Sequence, residues 1–355
     1  MEPTRQAPGL RRAFAAALTA LALVPVTALA GERYAPPGDG IYAGVSDTGS
    51  KQDYFDFTEA VGTHVAVLQG FELWGRWPEE TRQRWNRTET RGMLSISTAP
   101  CYECEEVISP RSIRRGGGDG YLLRMNAHLA EWDRPTYIRL LPEMNGHWNP
   151  YAAFNEDGSS RGSSHSTAQF RKAWRRSVLI IRGGATKRIN RRLRRSGMPP
   201  IRSRSRVPRR IPRTKTSFLW VPQTAGSPNL RANRPQAYWP GARYVDWVGA
   251  DIYGKFPNFA GLNGFYRDFR RKPFLIGEWS PWDVDDPAFV KHLHRWVESH
   301  RRAKMMIYFQ GFGPGNPFEI QHYPASEQVL RRQLRNNRYL PRAPDSRRLD
   351  GSGRE

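Results

Sequence analysis

Two glutamates each follow directly on an apolar run that has the length of a buried strand. Glu143 closes the run at residues 137–142, and Glu278 closes the run at residues 273–277. A carboxylate at the end of a buried strand is costly to place without a partner. Two such carboxylates that face each other suit the cleavage of a glycosidic bond, because one acts as acid and then base while the other attacks the anomeric carbon or activates water.

Polar neighbours could set the charges of the two glutamates. Arg139 lies four residues before Glu143 and therefore points to the same side of the strand, where it could pair with a carboxylate. Tyr253, at the end of another apolar run, could donate a hydrogen bond to Glu278 and hold it ionised. Asp251 would share the face of Tyr253, and we expect Arg139 and Asp251 to contribute to substrate binding. We therefore expect an ionised nucleophile, Glu278, beside an acid, Glu143, whose pKa is raised.

Aromatic side chains near the glutamates could bind sugar. Trp148 and Trp279 offer flat faces on which sugar rings could stack, and Phe309 lies at the end of the last apolar run. We also expect Asn145, two residues after Glu143, to contact substrate. Plainer interpretations stay open, because the two tryptophans could simply pack the rim of a fold. Asn145 and the glycine after it are also a turn signal, which would leave Glu143 an ordinary loop residue.

Eight short apolar or alternating runs, bounded by turn residues, predict the strands that position these side chains. They fall at residues 41–46, 64–69, 93–98, 136–141, 217–221, 247–253, 273–279 and 305–310. Amphipathic stretches between several of them predict helices, most clearly at residues 286–300. Strands that alternate with helices predict a parallel sheet, and eight such units predict an α/β fold, the closed (β/α)₈ TIM barrel, in a single domain. An open doubly wound sheet is the alternative, although no Gly-rich phosphate loop follows the first strand.

In such a barrel, the carboxyl ends of the strands carry the active site. Glu143 and Glu278 would stand at the ends of the fourth and seventh strands. The predicted fold therefore brings both glutamates to one mouth.

The chain is strongly basic, and its composition excludes several classes of protein. Its 355 residues include 56 Lys and Arg against 33 Asp and Glu, for a net charge of +23. The lack of repeats and the 12% of aromatic residues exclude a collagen-like or low-complexity chain. Two cysteines are too few for a disulfide-stapled miniprotein.

Much of the positive charge lies in one segment. Residues 171–215 contain 18 Lys and Arg and no acidic residue, and we assign a basic insertion in the barrel to residues 171–216. Such a run could bind nucleic acid or acidic polymers. Aromatic residues are sparse within it, so stacking on bases is not indicated. We therefore expect anionic cell-wall or exopolysaccharide polymers as partners rather than nucleic acid.

The two ends of the chain predict a leader and a tail. Early arginines, an apolar run at residues 13–24 and small residues at 28–30 follow the order of a secretory signal peptide, which we assign to residues 1–30. The apolar run is too short to span a membrane. We expect a secreted monomer with no membrane anchor, formed by one domain at residues 31–340. A polar tail at residues 341–355 is expected to be disordered.

Export changes how the two cysteines are interpreted. Cys101 and Cys104 could form a redox pair or half of a zinc site. No second cysteine pair or closely spaced histidine pair completes a zinc set, so we expect no metal. A small structural disulfide in an oxidising compartment is the interpretation we prefer.

Four segments resemble glycoside hydrolase family 26, the β-mannanase family. Residues 139–148 resemble the acid/base segment of that family, and residues 238–241, 244–253 and 272–278 resemble its later blocks. The resemblance implies a (β/α)₈ barrel that hydrolyses β-linked polysaccharides with retention and needs no cofactor.

The resemblance also implies a role for individual residues. It would make Glu143 the acid/base and Glu278 the nucleophile. It would make Tyr253 the hydrogen-bonding partner of the nucleophile and Trp148 a wall of the cleavage subsite.

Three positions depart from the family pattern. Pro142 precedes Glu143 where the family usually has His, and the third predicted strand, residues 93–98, lacks the His that mannan-cleaving members use. Phe309 lies near the end of the eighth strand, where a Trp is usual. The catalytic pair is thus present while the sugar-binding shell differs. We expect a secreted retaining endo-glycoside hydrolase, with a β-mannan as the family's default substrate. The alternative is a catalytically inactive barrel that binds polysaccharide or polyanion.

Overall fold

The computed structural model describes residue 1 and residues 34–346, except for residues 48–50, 78, 102–103, 204–206 and 312–314. The predicted signal peptide beyond its first residue and the end of the predicted tail, residues 347–355, lie outside the described residues. Among the helices in the described ranges, none combines the length and the apolarity that crossing a membrane requires.

Eight parallel strands form a closed barrel, in which each strand pairs with the next and the eighth pairs with the first. The strands are Ile41–Asp47, Val67–Leu73, Arg91–Ser97, Thr136–Leu140, Thr216–Trp220, Trp247–Tyr253, Phe274–Ser280 and Ala303–Tyr308. They are buried almost throughout because helices cover their outer face and side chains fill the interior. The predicted (β/α)₈ barrel is confirmed.

Helices connect the strands and cover the barrel. The α-helices of the described chain are Lys51–Val61, Glu79–Arg87, Pro110–Arg115, Asp119–Trp132, Thr167–Arg182, Thr186–Arg195, Pro235–Tyr238, Phe259–Asp268, Pro287–Ser299 and Pro324–Gln333. Short 3₁₀ turns lie at Arg231–Asn233, Ala242–Tyr244 and Ile320–His322. The helix predicted at residues 286–300 begins where the Asp286 carboxylate accepts a 2.9 Å hydrogen bond from the Phe289 amide, an N-cap that satisfies a free amide of the first turn.

The second strand extends further toward the mouth of the barrel than its apolar run predicts. It spans Val67–Leu73 and pairs along its whole length with the third strand, from Val67 opposite Arg91 to Leu73 opposite Ser97. Pairing with the third strand, and not the hydrophobic pattern of the second strand, therefore determines where the second strand ends. Gln69 consequently lies inside the strand and at the level of the active site.

The predicted basic insertion divides into two parts. Its first residues belong to the barrel helix Thr167–Arg182, and residues 183–215 form the insertion itself. Gly184–Ala185 pairs antiparallel with Arg210–Ile211 at its base, and the helix Thr186–Arg195 lies between them. Gly183 has φ +70°, and a Cβ there would stand 1.7 Å from the Pro212 carbonyl oxygen, so only glycine fits where the two arms meet.

The first residues of the predicted tail belong to the fold. Tyr339–Leu340 pairs with the first barrel strand, Ala343 is buried, and Asp345 forms an ion pair with Arg91. Residues 341–346 of the predicted tail therefore pack on the fold rather than lying disordered.

Candidate active site

Glu143 lies on a tight turn after the fourth barrel strand. Its φ of +48° and the +44° of Leu141 are left-handed values that are uncommon for residues other than glycine. Surrounding hydrogen bonds hold the turn: the Glu143 amide donates to the Val221 carbonyl (2.7 Å), and Asn149 Nδ2 donates to the Glu143 carbonyl (3.0 Å). Tyr151 donates its hydroxyl to the Pro142 carbonyl (2.7 Å). The turn directs the carboxylate toward the axis of the barrel.

The Glu143 carboxylate is buried and receives two side-chain hydrogen bonds. Trp148 Nε1 donates to Oε2 at 2.8 Å, and Gln223 Nε2 donates to Oε1. Burial raises the pKa of Glu143, the nearby Glu278 raises it further, and Arg139 and Trp148 oppose the rise. A raised pKa favours the protonated carboxyl, which is the form that a general acid needs.

The Glu278 carboxylate, on the seventh strand, is held by three donors. Tyr253 donates its hydroxyl to Oε2 at 2.8 Å, Gln69 Nε2 donates to Oε1 at 3.2 Å, and the Arg139 guanidinium donates to the same Oε1. These three contacts fix the orientation of the carboxylate.

Arg139 joins the carboxylates beneath the mouth. Its guanidinium is buried and donates to both Asp251 and Glu278. Burial opposes its charge, but Asp251, Glu278 and Glu143 outweigh this effect and raise the pKa of Arg139. Burial also raises the pKa of Asp251 well above its usual range, with Arg139 opposing and the two glutamates adding to the rise. Burial and the neighbouring carboxylates therefore favour the protonated forms of Glu143 and Asp251.

The carboxylates of Glu143, Asp251 and Glu278 each place one oxygen within 4.8 Å of the others. Such a set of oxygen donors could ligate a divalent cation. Here, however, Arg139 already supplies a positive charge to two of the three carboxylates. The donor set therefore does not require a metal to balance it.

A cavity of about 580 Å³ opens beside the two glutamates. Phe309 lines it as expected, with its ring edge-on to Phe71 at a centroid distance of 6.0 Å. Further lining residues include Glu72, Arg76, Ser95, Ser97, Cys101 and Tyr151. Its volume is in the usual range for small-molecule sites. Cys101 at its rim is joined to Cys104 in the disulfide that the sequence favours.

Two side chains that we expected at the substrate lie elsewhere. Trp279 is 2% exposed and packs edge-on against Tyr308 outside the barrel, because alternation along the strand turns it away when Glu278 points inward. Asn145 is fully buried and bonds the backbone of Gln223 through both ends of its amide. The expectation that these two residues contact substrate is therefore wrong, whereas Trp148 does lie beside Glu143.

The sequence interpretation missed two glutamines that contact the glutamates. Gln69 is a buried polar residue within the apolar run at residues 65–70, and Gln223 follows shortly after the fifth strand. A polar side chain inside an otherwise apolar strand was the signal that could have revealed Gln69. Gln223 reaches Glu143 through a loop, which no local pattern predicts.

Residues 213–309 match the sequence model of glycosyl hydrolase family 26. No curated protein sequence matches the chain significantly. This match confirms the resemblance to family 26 for three of the four segments, including those with Tyr253 and Glu278, whereas the segment at residues 139–148 lies outside the match.

Solved structures of family 26 enzymes share the barrel. The catalytic domain of an endo-β-1,4-mannanase from Bacillus sp. JAMB-750 is 12% identical with a TM-score of 0.57, and the alignment covers 90% of this chain and 91% of that one. A β-mannanase from Bacteroides ovatus is 14% identical with a TM-score of 0.56 (89% and 95% covered). A double mutant of the Cellulomonas fimi endo-β-1,4-mannanase is 16% identical with a TM-score of 0.55 (88% and 73% covered). Identities this low show the shared fold alone, and the family match covers residues 213–309 only. Together they support a glycoside hydrolase that is similar to family 26.

Proposed function

We propose that this chain is a secreted, retaining endo-glycoside hydrolase that cleaves a β-mannan, with Glu143 as acid and base and Glu278 as nucleophile. The observation that carries the proposal is the separation of the two carboxylates, which place oxygens within 4.8 Å of each other. Retaining glycosidases hold their carboxyl groups about 5–5.5 Å apart, whereas inverting enzymes leave about 6.5–9.5 Å for a water molecule.

The reaction proceeds in two displacements. Glu143 transfers its proton to the glycosidic oxygen while a Glu278 oxygen attacks the anomeric carbon, so the bond to the leaving sugar breaks as the bond to Glu278 forms. Glu143, now ionised, takes a proton from water. The resulting hydroxide attacks the anomeric carbon and releases Glu278, which returns both carboxyl groups to their starting states.

The environments of the two glutamates support this division of roles. Glu143 is buried against Glu278 and has a raised pKa, so it can hold the proton at the start. Glu278 accepts hydrogen bonds from Arg139, Gln69 and Tyr253, which fix its orientation. We assign these three as positioning residues, because each acts through the carboxylate.

A β-mannan is the proposed substrate because the enzymes that share the barrel are described as mannanases. The residues around the cavity differ from the family pattern at several positions. Ser95 and Ser97 of the third strand and Phe309 of the eighth line the cavity, and Pro142 precedes the acid. Small serine side chains leave room in the cavity, so decorated mannans belong in the test.

The experiment compares reducing-sugar release from β-mannan, galactomannan, glucomannan, mixed-linkage β-glucan and β-xylan. Wild type is run beside Glu278→Ala and the control Glu131→Ala, which changes a largely exposed side chain far from the mouth. We expect wild type and the control to release reducing ends from a mannan and Glu278→Ala to release none. The product that first appears should keep the anomeric configuration of the substrate, as read by proton NMR.

Other results would replace the proposal. Release from xylan or glucan alone would leave the hydrolase and reject the mannan. Binding of a mannan without hydrolysis would favour the inactive binding barrel. Secretion is tested separately, by whether the expressed chain reaches the medium and begins after residue 30.

A further inference from the structure

One face of the helix Thr186–Arg195 consists of cations, and we call it the basic helix face. It comprises Lys187, Arg188, Arg191, Arg194 and Arg195, all exposed. The opposite side of the helix is apolar and buried through Ile189 and Leu193. The 3.6-residue period of the helix puts the five charges on the outward side over about 12 Å of length.

The basic helix face has no acidic partner. Residues 183–215 contain no Asp or Glu. Within the part of the chain that the structure describes, none of the five side chains forms an ion pair, whereas other surface cations such as Lys215 and Lys255 do. The charges of the face are therefore available to an external anion.

The face is held rigidly by buried contacts behind it. Arg176 is buried, pairs with Asp119 and donates to the carbonyls of Pro199 (2.8 Å) and Pro200 (3.0 Å). Asn190 Oδ1 accepts a 2.9 Å hydrogen bond from the Ile201 amide. Because these contacts fix the helix before any ligand arrives, binding costs little ordering of the backbone.

The basic helix face lies on the outside of the barrel. The insertion leaves the end of the helix Thr167–Arg182 and returns at Thr216, where the fifth strand begins, so both of its ends lie at the amino-terminal end of the barrel. Asn126 Nδ2 ties it to the outside of the barrel through the carbonyls of Ile181 and Pro212, both at 2.8 Å. Among the residues of the insertion that the structure describes, none lines the catalytic cavity.

We propose that the basic helix face is a second, non-catalytic binding site for an acidic polysaccharide, one that carries carboxylates along its chain. Repeated charges along a helix attract a polymer with repeated anions through many weak, salt-dependent contacts. A ligand bound there leaves the mouth free, so the site tethers the enzyme to the acidic polymer while the mouth acts on another chain.

The chemistry of the insertion favours a polysaccharide over other polyanions. Residues 183–215 contain no Phe, Tyr or Trp, so bases have no ring on which to stack. The apolar side of the helix is buried against the protein, so the helix has no exposed apolar face that could insert into a membrane surface. The choice of polysaccharide also rests on the proposed function, since a glycoside hydrolase meets such polymers together with its substrate.

The test measures binding of polygalacturonate to the full chain by titration calorimetry at low and at near-physiological salt. The variant Arg188→Gln, Arg191→Gln, Arg194→Gln and Arg195→Gln is compared with a control of equal charge change, Arg267→Gln, Arg271→Gln, Lys291→Gln and Arg295→Gln. All eight residues are exposed, and the control residues lie on other helices or next to them. We expect the first variant to bind at least about tenfold more weakly and the control to change less than about threefold.

Two further readouts separate this proposal from the catalytic one. Hydrolysis of a neutral soluble mannan should be unchanged in both variants, whether or not binding is lost. Equal weakening by the two variants would overturn the proposal, because net charge rather than the helix face would then explain binding. Duplex DNA that binds more tightly than polygalacturonate and displaces it would overturn it as well, as would absence of polygalacturonate binding at low salt.

Discussion

Asn145 and Gln223 are joined by a reciprocal pair of hydrogen bonds. Asn145 Oδ1 accepts from the Gln223 amide at 2.9 Å, and Asn145 Nδ2 donates to the Gln223 carbonyl at 3.0 Å. Gln223 in turn donates its side-chain amide to Glu143. The loop after the fourth strand, which contains Asn145, thus fixes the loop after the fifth strand. That second loop carries Gln223, which donates a hydrogen bond to Glu143.

Replacing Asn145 should therefore impair both stability and catalysis. Asn145→Ala leaves a partly buried backbone N–H and C=O of Gln223 without these partners, and we expect the free energy of unfolding to fall by about 1–3 kcal/mol. Gln223→Ala keeps the backbone bonds and loses only the contact to Glu143, so its kcat should fall with a smaller loss of stability. Urea unfolding and kcat of both variants check this. Equal stability losses would contradict the structural role of Asn145.

Tyr253→Phe should reduce turnover more than substrate binding. The change removes the 2.8 Å hydrogen bond to Glu278 and little else, because the ring remains. A hydrogen bond to a charged group contributes about 1.5–3 kcal/mol, so kcat should fall roughly tenfold to 150-fold. Steady-state kinetics on the polymer identified above measure it. A large rise in KM with kcat unchanged would instead make Tyr253 a sugar-binding residue.

Trp148→Phe should move the pH dependence of kcat/KM. Trp148 Nε1 donates to the Glu143 carboxylate and lowers its pKa, so its loss should raise the pKa of Glu143 further. Activity is lost as pH rises through the pKa of a general acid. The alkaline limb of the profile should therefore shift to higher pH.

The control for that shift is Trp132→Phe, at a tryptophan that contacts Arg82 and Arg134 and does not line the catalytic cavity. Its profile should match that of wild type. An alkaline limb that stays in place in Trp148→Phe would mean that Glu143 is not the group that titrates there.

His294 should make the fold sensitive to acid. It is buried, its Nδ1 lies 2.7 Å from the Tyr339 hydroxyl, and burial lowers its pKa to about 3. The unfolded chain has a His pKa near 6.5. The stability contribution of neutral His294 is therefore complete above about pH 6.5 and is lost as pH falls toward about 3.

We expect His294 to lower the free energy of unfolding by about 1.4 kcal/mol for each unit by which the pH falls across that window. His294→Gln removes the titrating group and keeps a partner for Tyr339, so its stability should depend less steeply on pH. Glu143 and Asp251 have raised pKa values and act in the opposite sense, so the difference between variant and wild type is the quantity to measure. Urea unfolding at pH 7 and at about pH 5 provides it. Parallel pH profiles would reject the prediction.

The order of strands, the barrel and the positions of the two glutamates could be predicted from the sequence. Apolar runs and helical periodicity are local properties, and in a parallel barrel each strand points its carboxyl end to the same mouth. That rule alone brings Glu143, Tyr253 and Glu278 to one place. The alternation of side chains along the seventh strand also implied that Trp279 faces away from Glu278, although the flat ring suggested otherwise.

Contacts across the barrel were decided only by the tertiary structure. Gln69 meets Glu278 because the second strand runs to Leu73 in register with the third, and Gln223 meets Glu143 because Asn145 holds its loop. Such contacts depend on strand register and on the paths of loops that are far apart in the chain. The hydrophobic period of a single segment carries no information on either. The charge of the basic insertion, likewise, was visible in the sequence. Its placement on a helix outside the barrel depends on the buried pair of Arg176 and Asp119, which only the packed structure brings together.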